Sequence, residues 1–230
     1  MATAQKESDI KAVVVVVVIA AVCAAGLALV KAATFDAIQA SADLEKAGAL
    51  RKVVPAGCTV EVMDLAWPPE GGQLVINPAF REDGSLCALA VNTFDGNAYG
   101  GRIDVLAGFR DVDSPDSLVL HRIYVLKHTE TPGLGSKAVD KQDEDPSTWG
   151  SDPKQVFGVN FANKRVADLT WVVKQEGAGP NDVAAITAST VTSRAIKDSV
   201  KKAADTLRSD LPAILETVEA KRSGTTGGAK

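Results

Sequence analysis

The chain is poor in the residues from which metal centres are built. It has three cysteines, Cys23, Cys58 and Cys87, and two histidines, His121 and His128. No Cys-x-x-Cys or Cys/His spacing links them, which argues against a zinc or iron–sulfur site made by this chain alone. A Gly-x-Ser-x-Gly elbow is missing and histidines are few, so a serine hydrolase is unsupported. His121 reads as an ordinary strand residue. There is no run of Lys and Arg interleaved with aromatics, and 29 acidic residues outnumber 25 basic ones, so nucleic acid is not an expected partner. No internal repeat is visible. Cys58 and Cys87 read as two buried free thiols. A disulfide between them is the alternative if they lie outside the cytoplasm, since spacing does not bring two Cα atoms within reach.

Charge is also missing from residues 12–30, which Lys11 and Lys31 bracket. At a rise of ~1.5 Å per residue this stretch makes a helix of roughly 28 Å, close to the ~30 Å of a bilayer's hydrocarbon core. The β-branched run Val13 to Val18 disfavours a helix in water, but unpaired backbone in lipid costs far more. The apolar core of a cleaved signal peptide is shorter, ~7–15 residues. The reading is therefore an uncleaved single-pass anchor with residues 1–11 as a short arm. Flanking charge does not decide the orientation. A short arm before a long domain is the usual signal-anchor arrangement, which places the domain outside the cytoplasm. One span without intramembrane charge is not expected to form an ion path.

Residues 31–57 read as a membrane-proximal amphipathic stalk carrying Phe35, Ile38, Leu44 and Leu50, ended by Pro55, Ala56 and Gly57. One domain follows over 58–221. Residues 86–91 read as a buried strand. Ile103, Val105, Ala107 and Phe109 alternate, as do Leu118 and Leu120 and, less regularly, Ile123 and Val125, with a turn at 111–116 between two hairpin strands. Residues 137–151 read as a polar surface excursion around Trp149. Val166, Leu169, Trp171 and Val173 suggest another strand, ended by a Gly/Pro turn at 177–180. Ala195, Ile196, Val200, Ala203, Ala204 and Leu207 share one helical face, and Ser209 and Asp210 before Pro212 predict a second, short helix. The tail, 222–230, reads as disordered. The sum is an α+β domain behind a single transmembrane helix and stalk.

Two segments carry the chemistry. Residues 186–193 are a hydroxyl-rich run of small residues, with Thr187, Ala188, Ser189, Thr190, Thr192 and Ser193, opening directly onto a helix. If Thr192 or Ser193 caps that helix, its first amides and its dipole favour an anion, and Thr190 offers a hydroxyl for a phosphoester. A strand plus an N-cap is the plain alternative for the run taken alone. Glu130, Thr131, Pro132, Gly133, Leu134 and Gly135 form a Pro/Gly turn. Its glycines either admit a flat ligand or serve a tight turn, and Glu130 either orients the ligand's edge or neighbouring backbone, or is a solvated turn carboxylate. Tyr99 and Trp149 are ring-packing candidates, or core aromatics.

Residues 187–196 resemble the flavinylation motif found in the G subunit of the Rnf ion-translocating electron transport complex. That protein is related to the C subunit of sodium-translocating NADH:quinone oxidoreductase. The threonine that accepts FMN in the motif matches Thr190. The motif's aspartate falls at Ala184, with Asp182 two residues early; its glycine falls at Ala188 and its alanine at Ser189. Residues 130–135 resemble the family's Glu-Thr-Pro-Gly-Leu-Gly segment, and residues 98–103 its Gly-Tyr segment leading into a strand.

The resemblance implies an FMN-binding domain carrying FMN covalently on Thr190. The other cofactor contacts would come from Thr187, Ala188, Ser189, Thr192, Ser193, Glu130, Thr131, Pro132, Gly133, Leu134, Gly135 and Tyr99. It implies an electron-carrying member of a larger complex, without a complete active site of its own, anchored in a bacterial inner membrane with its domain on the periplasmic side. Expected partners are the other membrane and peripheral Rnf subunits, including a second flavin protein and iron–sulfur proteins. The chemistry would link ferredoxin and NAD to sodium or proton translocation. A non-covalent flavin sensor and a flavin-free assembly protein are the alternatives.

Overall fold

The structure is a computed structural model that describes residues 2–143, 156–176 and 178–226. It divides into two units, Met1–Ala47 and Gly48–Lys230. The first is helical throughout its described length. Helix α1, Ala2–Val53, is uninterrupted, so the expected anchor and stalk are one helix. Residues 13–45 are exposed. Among the described residues this is the one helix long and apolar enough to cross a membrane.

The last turns of α1 belong to the second unit. Ala49, Leu50 and Val53 are buried there with Ala79, Ala88, Ala90, Leu106 and Tyr124. The compact domain thus begins at Gly48, ten residues before the boundary expected at 58.

Its centre is an antiparallel sheet. The strands are β1 (Thr59–Val60), β2 (Leu65–Trp67), β3 (Leu74–Phe80), β4 (Leu86–Ala98), β5 (Gly101–Arg110), β6 (Val119–Lys127) and β7 (Lys164–Arg165). The order is β1-β3-β4-β5-β6-β7, with β2 also paired to β3. A small parallel pair, β8 (Val173–Lys174) and β9 (Val183–Ala184), lies apart from it. Helix α2, Thr190–Thr226, covers one face of the sheet.

Period-two alternation decides which face each side chain joins. Leu89 and Val91, with Ile103, Val105, Ala107 and Phe109, pack in the larger core together with Ile196, Val200, Ala203 and Leu207 of α2. The small Ala88 and Ala90 point the other way, toward the end of α1. Gly108 is needed on that face, because a Cβ there would lie 1.7 Å from the Val53 carbonyl oxygen. The irregular alternation of β6 also has a cause. Phe109 pairs with Leu120 but Gly108 pairs with Arg122, so a bulge shifts the core-facing positions from 118 and 120 to 123 and 125.

Several expectations are corrected. Residues 166–173 do not form one strand: a 3-10 turn occupies Val166–Asp168, and Trp171 sits at φ +59° before β8. Ser209 and Asp210 start no new helix, because α2 runs through Pro212. Asp210 instead accepts the Trp67 indole N–H at 2.8 Å. Residues 222–226 of the expected tail continue the helix, and Arg222 donates to the Gly84 carbonyl at 2.8 Å with its guanidinium 3.8 Å from the Phe80 ring; residues 227–230 lie outside the described residues. Of the expected surface excursion, Ala138 and Val139 are core residues, while the Gln142 side chain hydrogen-bonds both backbone groups of Val125. Trp149 lies outside the described residues. Cys58 and Cys87 are not free thiols but a disulfide, with Cα atoms 6.2 Å apart. The stretch after α1 brings Cys58 beside β4, a register that only the folded sheet supplies.

Candidate functional site

Three turns of the chain meet at the start of α2. The first is the two-residue turn Tyr99-Gly100 between β4 and β5, closed by the Ala98–Gly101 pair. Gly100 must lack a side chain, since a Cβ would fall 2.3 Å from the Thr129 carbonyl oxygen. The second turn is Thr131-Pro132-Gly133-Leu134. The Leu134 N–H donates to the Thr131 carbonyl at 3.1 Å, and Gly133 takes φ +76°. Pro at the second place and Gly at the third is what such a turn demands. The third is Ile186-Thr187-Ala188-Ser189, closed by the Ser189 N–H on the Ile186 carbonyl at 2.9 Å, with Ala188 at φ +66°.

Hydrogen bonds tie the turns together. Glu130, only 6% exposed, accepts the Gly100 N–H at 3.0 Å and the Thr192 hydroxyl at 2.8 Å. Glu130 is therefore not a solvated turn carboxylate; it orients neighbouring backbone at Gly100. The Ser189 hydroxyl donates to the Gly135 carbonyl at 2.8 Å. Gly135 is where the carboxylate comes close: a Cβ there would lie 1.7 Å from Glu130 Oε2. Its missing side chain makes room for Glu130.

Helix α2 starts earlier than an N-cap at Thr192 or Ser193 would place it. Thr190 is its first residue, and the Ser193 N–H donates to the Ser189 carbonyl at 2.8 Å. Thr192 and Ser193, both buried, lie in the first turn and are not caps. The Ser193 hydroxyl accepts the Ile186 N–H at 3.3 Å. Helix geometry leaves the amides of Thr190, Val191 and Thr192 without intrahelical acceptors, at the positive end of the dipole.

A cavity of about 320 Å³ opens here, lined by Tyr99, Leu134, Gly135, Ala188, Ser189, Thr190, Val191 and Thr192. Tyr99, Leu134 and Val191 are large apolar side chains that stand 70%, 46% and 45% exposed. The cavity therefore gathers three sequence segments that are far apart in the chain. Thr187, Thr131, Pro132 and Gly133 shape the turns without lining it, while Glu130 and Ser193 brace it from behind.

Sequence reasoning missed Gln175, whose Nε2 donates to Thr190 Oγ1 at 2.9 Å. No local pattern marks it. Ala184, where the motif's aspartate would fall, is a buried β9 residue whose backbone is held by Asn160 on both sides, at 2.8 and 3.1 Å. Asp182 has a bracing task nearby. Lys174 at 2.6 Å, then the Thr170 hydroxyl and the Gly179 N–H, hold its carboxyl well below the usual carboxylate range.

A family model described as "FMN-binding domain" matches residues 98–205, a span that contains all three turns and the first half of α2. The G subunit of the ion-translocating oxidoreductase complex of Vibrio atlanticus is 29% identical over 196 residues, covering 79% of this chain and 82% of its own. The G subunit of the Na(+)-translocating ferredoxin:NAD(+) oxidoreductase complex of Acetobacterium woodii is 30% identical over 173 residues, covering 75% of this chain and 66% of its own. The crystal structure of Shewanella oneidensis NqrC superposes with a TM-score of 0.45 at 18% identity, over 71% of this chain and 74% of that one.

Proposed function

Because this chain belongs to the FMN-binding domain family, we propose that it is the flavin-carrying subunit of a membrane-bound ion-translocating oxidoreductase complex, with FMN esterified to Thr190. The observation that carries this reading is the place of Thr190: the first residue of a long helix and one of the residues that line the cavity.

The residues suit the group. The open amides and dipole of α2 favour a phosphate beside Thr190. Tyr99, Leu134 and Val191 offer a flat apolar ring a surface on which to shed water. Thr192 and Ser189 have committed their hydroxyls to Glu130 and Gly135, so they fix the wall and leave Thr190 as the hydroxyl for esterification. When bound, FMN supplies one- and two-electron chemistry, and the chain supplies tethering and orientation.

Helix α1 anchors the domain to the membrane, and the Cys58–Cys87 disulfide supports a location on its extracytoplasmic side, where such bonds persist. The partners are the other members of the complex, including a second flavin protein and iron–sulfur proteins, and the coupled chemistry links ferredoxin and NAD to sodium or proton movement.

The test is an intact mass and peptide map of the full chain produced with a flavin transferase. One added FMN moiety on the Thr190 peptide, lost in Thr190→Val, is the expected result. An unmodified Thr190 would overturn the covalent assignment.

A further inference from the structure

We propose that Gln175 is the positioning residue for esterification of Thr190, an inference that rests on the reading of Thr190 as the attachment point. Gln175 lies fifteen residues before Thr190, yet its amide Nε2 donates to Thr190 Oγ1 at 2.9 Å. It directly follows β8, which pairs in parallel with β9 through Val173–Val183 and Lys174–Ala184. The Ala185 N–H adds a bond to the Lys174 carbonyl at 2.8 Å. Asp182 closes the far end of the loop on Lys174, Thr170 and Gly179. Strand β9 then runs into the 186–189 turn and Thr190. The parallel β8–β9 pair thus places the residues that follow each strand, Gln175 and the turn that leads into Thr190, at the same end of the pair.

The polarity of this bond matters. An amide NH₂ has only donors, so it occupies a lone pair of Oγ1 and leaves the hydroxyl proton free to depart. It also holds the Thr190 side chain in one rotamer at the cavity. Making a phosphoester from an alcohol requires an activated phosphoryl donor, here a flavin dinucleotide. The Oγ1–P bond forms as the pyrophosphate P–O bond breaks, a nucleoside monophosphate leaves, and the hydroxyl proton is released. No electrons are exchanged. The resulting phosphodiester carries one negative charge beside the same N–H donor, which a carboxylate at this position would repel.

The experiment follows the rate of adduct formation by intact mass, using the full-length chain, a flavin transferase and flavin adenine dinucleotide. Wild type is compared with Gln175→Met, which keeps the shape without the donor, and Gln175→Glu, which adds charge. Loss of one neutral hydrogen bond corresponds to a slowing of roughly three- to tenfold in kcat for Gln175→Met, with the KM for the protein substrate unchanged. Gln175→Glu is slowed further, and both variants keep the wild-type Tm. Wild-type rates in both would overturn the inference while leaving Thr190 as the acceptor. A loss of rate that tracks a loss of folded protein would assign Gln175 a structural role and also overturn it. A wild-type chain that takes up no FMN would overturn the attachment reading itself, and this one with it.

Discussion

Glu130 and Thr192 are 62 residues apart in sequence, and the hydroxyl of Thr192 donates to the buried carboxylate of Glu130 at 2.8 Å. Through the second oxygen, which holds the Gly100 N–H at 3.0 Å, one side chain joins the β4–β5 turn, the Pro-Gly turn and the start of α2. The family motif's glutamate thereby acquires a physical task that needs no contact with a ligand.

Glu130→Ala is expected to leave the Thr192 hydroxyl and Gly100 N–H without their acceptor. Thr192 is buried, and leaving its hydroxyl unsatisfied costs about 1–3 kcal/mol, while the exposed Gly100 turn can bond water instead, so Tm falls by roughly 2–10 °C. Thermal denaturation followed by circular dichroism reads this directly. Glu130→Gln, which keeps one acceptor and the shape, is expected to lose less than half as much.

The two glycines of the Pro-Gly turn should respond differently to alanine. At Gly133 the surroundings are open and only the φ of +76° is unfavourable, for a loss of about 1 kcal/mol. At Gly135 a Cβ would meet the Glu130 carboxylate, so Gly135→Ala should cost about 2–3 kcal/mol. Equal losses in urea melts would contradict the close approach.

Ala188→Gly is expected to stabilise the domain. Ala188 holds φ +66°, where an L side chain is strained by about 1–2 kcal/mol; glycine removes the strain and returns part of it as chain entropy. A net gain of roughly 0.5–1 kcal/mol should appear as a higher midpoint in denaturant. A lower midpoint would show that the methyl group packs usefully.

Asp182 gives a pH dependence of definite sign. Its folded pKa is depressed, chiefly by Lys174 and then by Thr170 and Gly179. It therefore contributes stability that is present above the ordinary carboxylate pKa of about 3.9 and is lost as pH falls toward the folded value. The difference in Tm between wild type and Asp182→Asn should be largest near pH ~6 and shrink steadily below pH ~4.

Thiol titration of the denatured, unreduced chain should find one reactive cysteine, Cys23, and three after reduction. Closing a loop with a sequence separation of 29 is expected to contribute about 3–4 kcal/mol, so reductant should lower Tm measurably. Three thiols before reduction would remove the bond.

Much was legible in the sequence because local rules govern it. The uncharged 12–30 stretch specified an apolar helix, the alternation of 103–109 specified a strand and its inner face, and Pro132-Gly133 specified a turn. The segments that gather at the cavity carry a local signature too, small residues, glycines and hydroxyls in close succession.

What the sequence could not decide depends on contacts between distant segments. Helix propensity does not say that α2 continues through Pro212 and Arg222, because its buried face and the Phe80 and Gly84 contacts hold it there. Cysteine spacing does not reveal that β4 passes within bonding reach of Cys58. Nor does any local pattern place Gln175 on Thr190, which needs the β8–β9 pairing, or the Thr192 hydroxyl on the Glu130 carboxylate 62 residues away. Periodicity and turn chemistry are written residue by residue along the chain; register, loop closure and the partners of buried polar groups are set by the free energy of the whole packed domain.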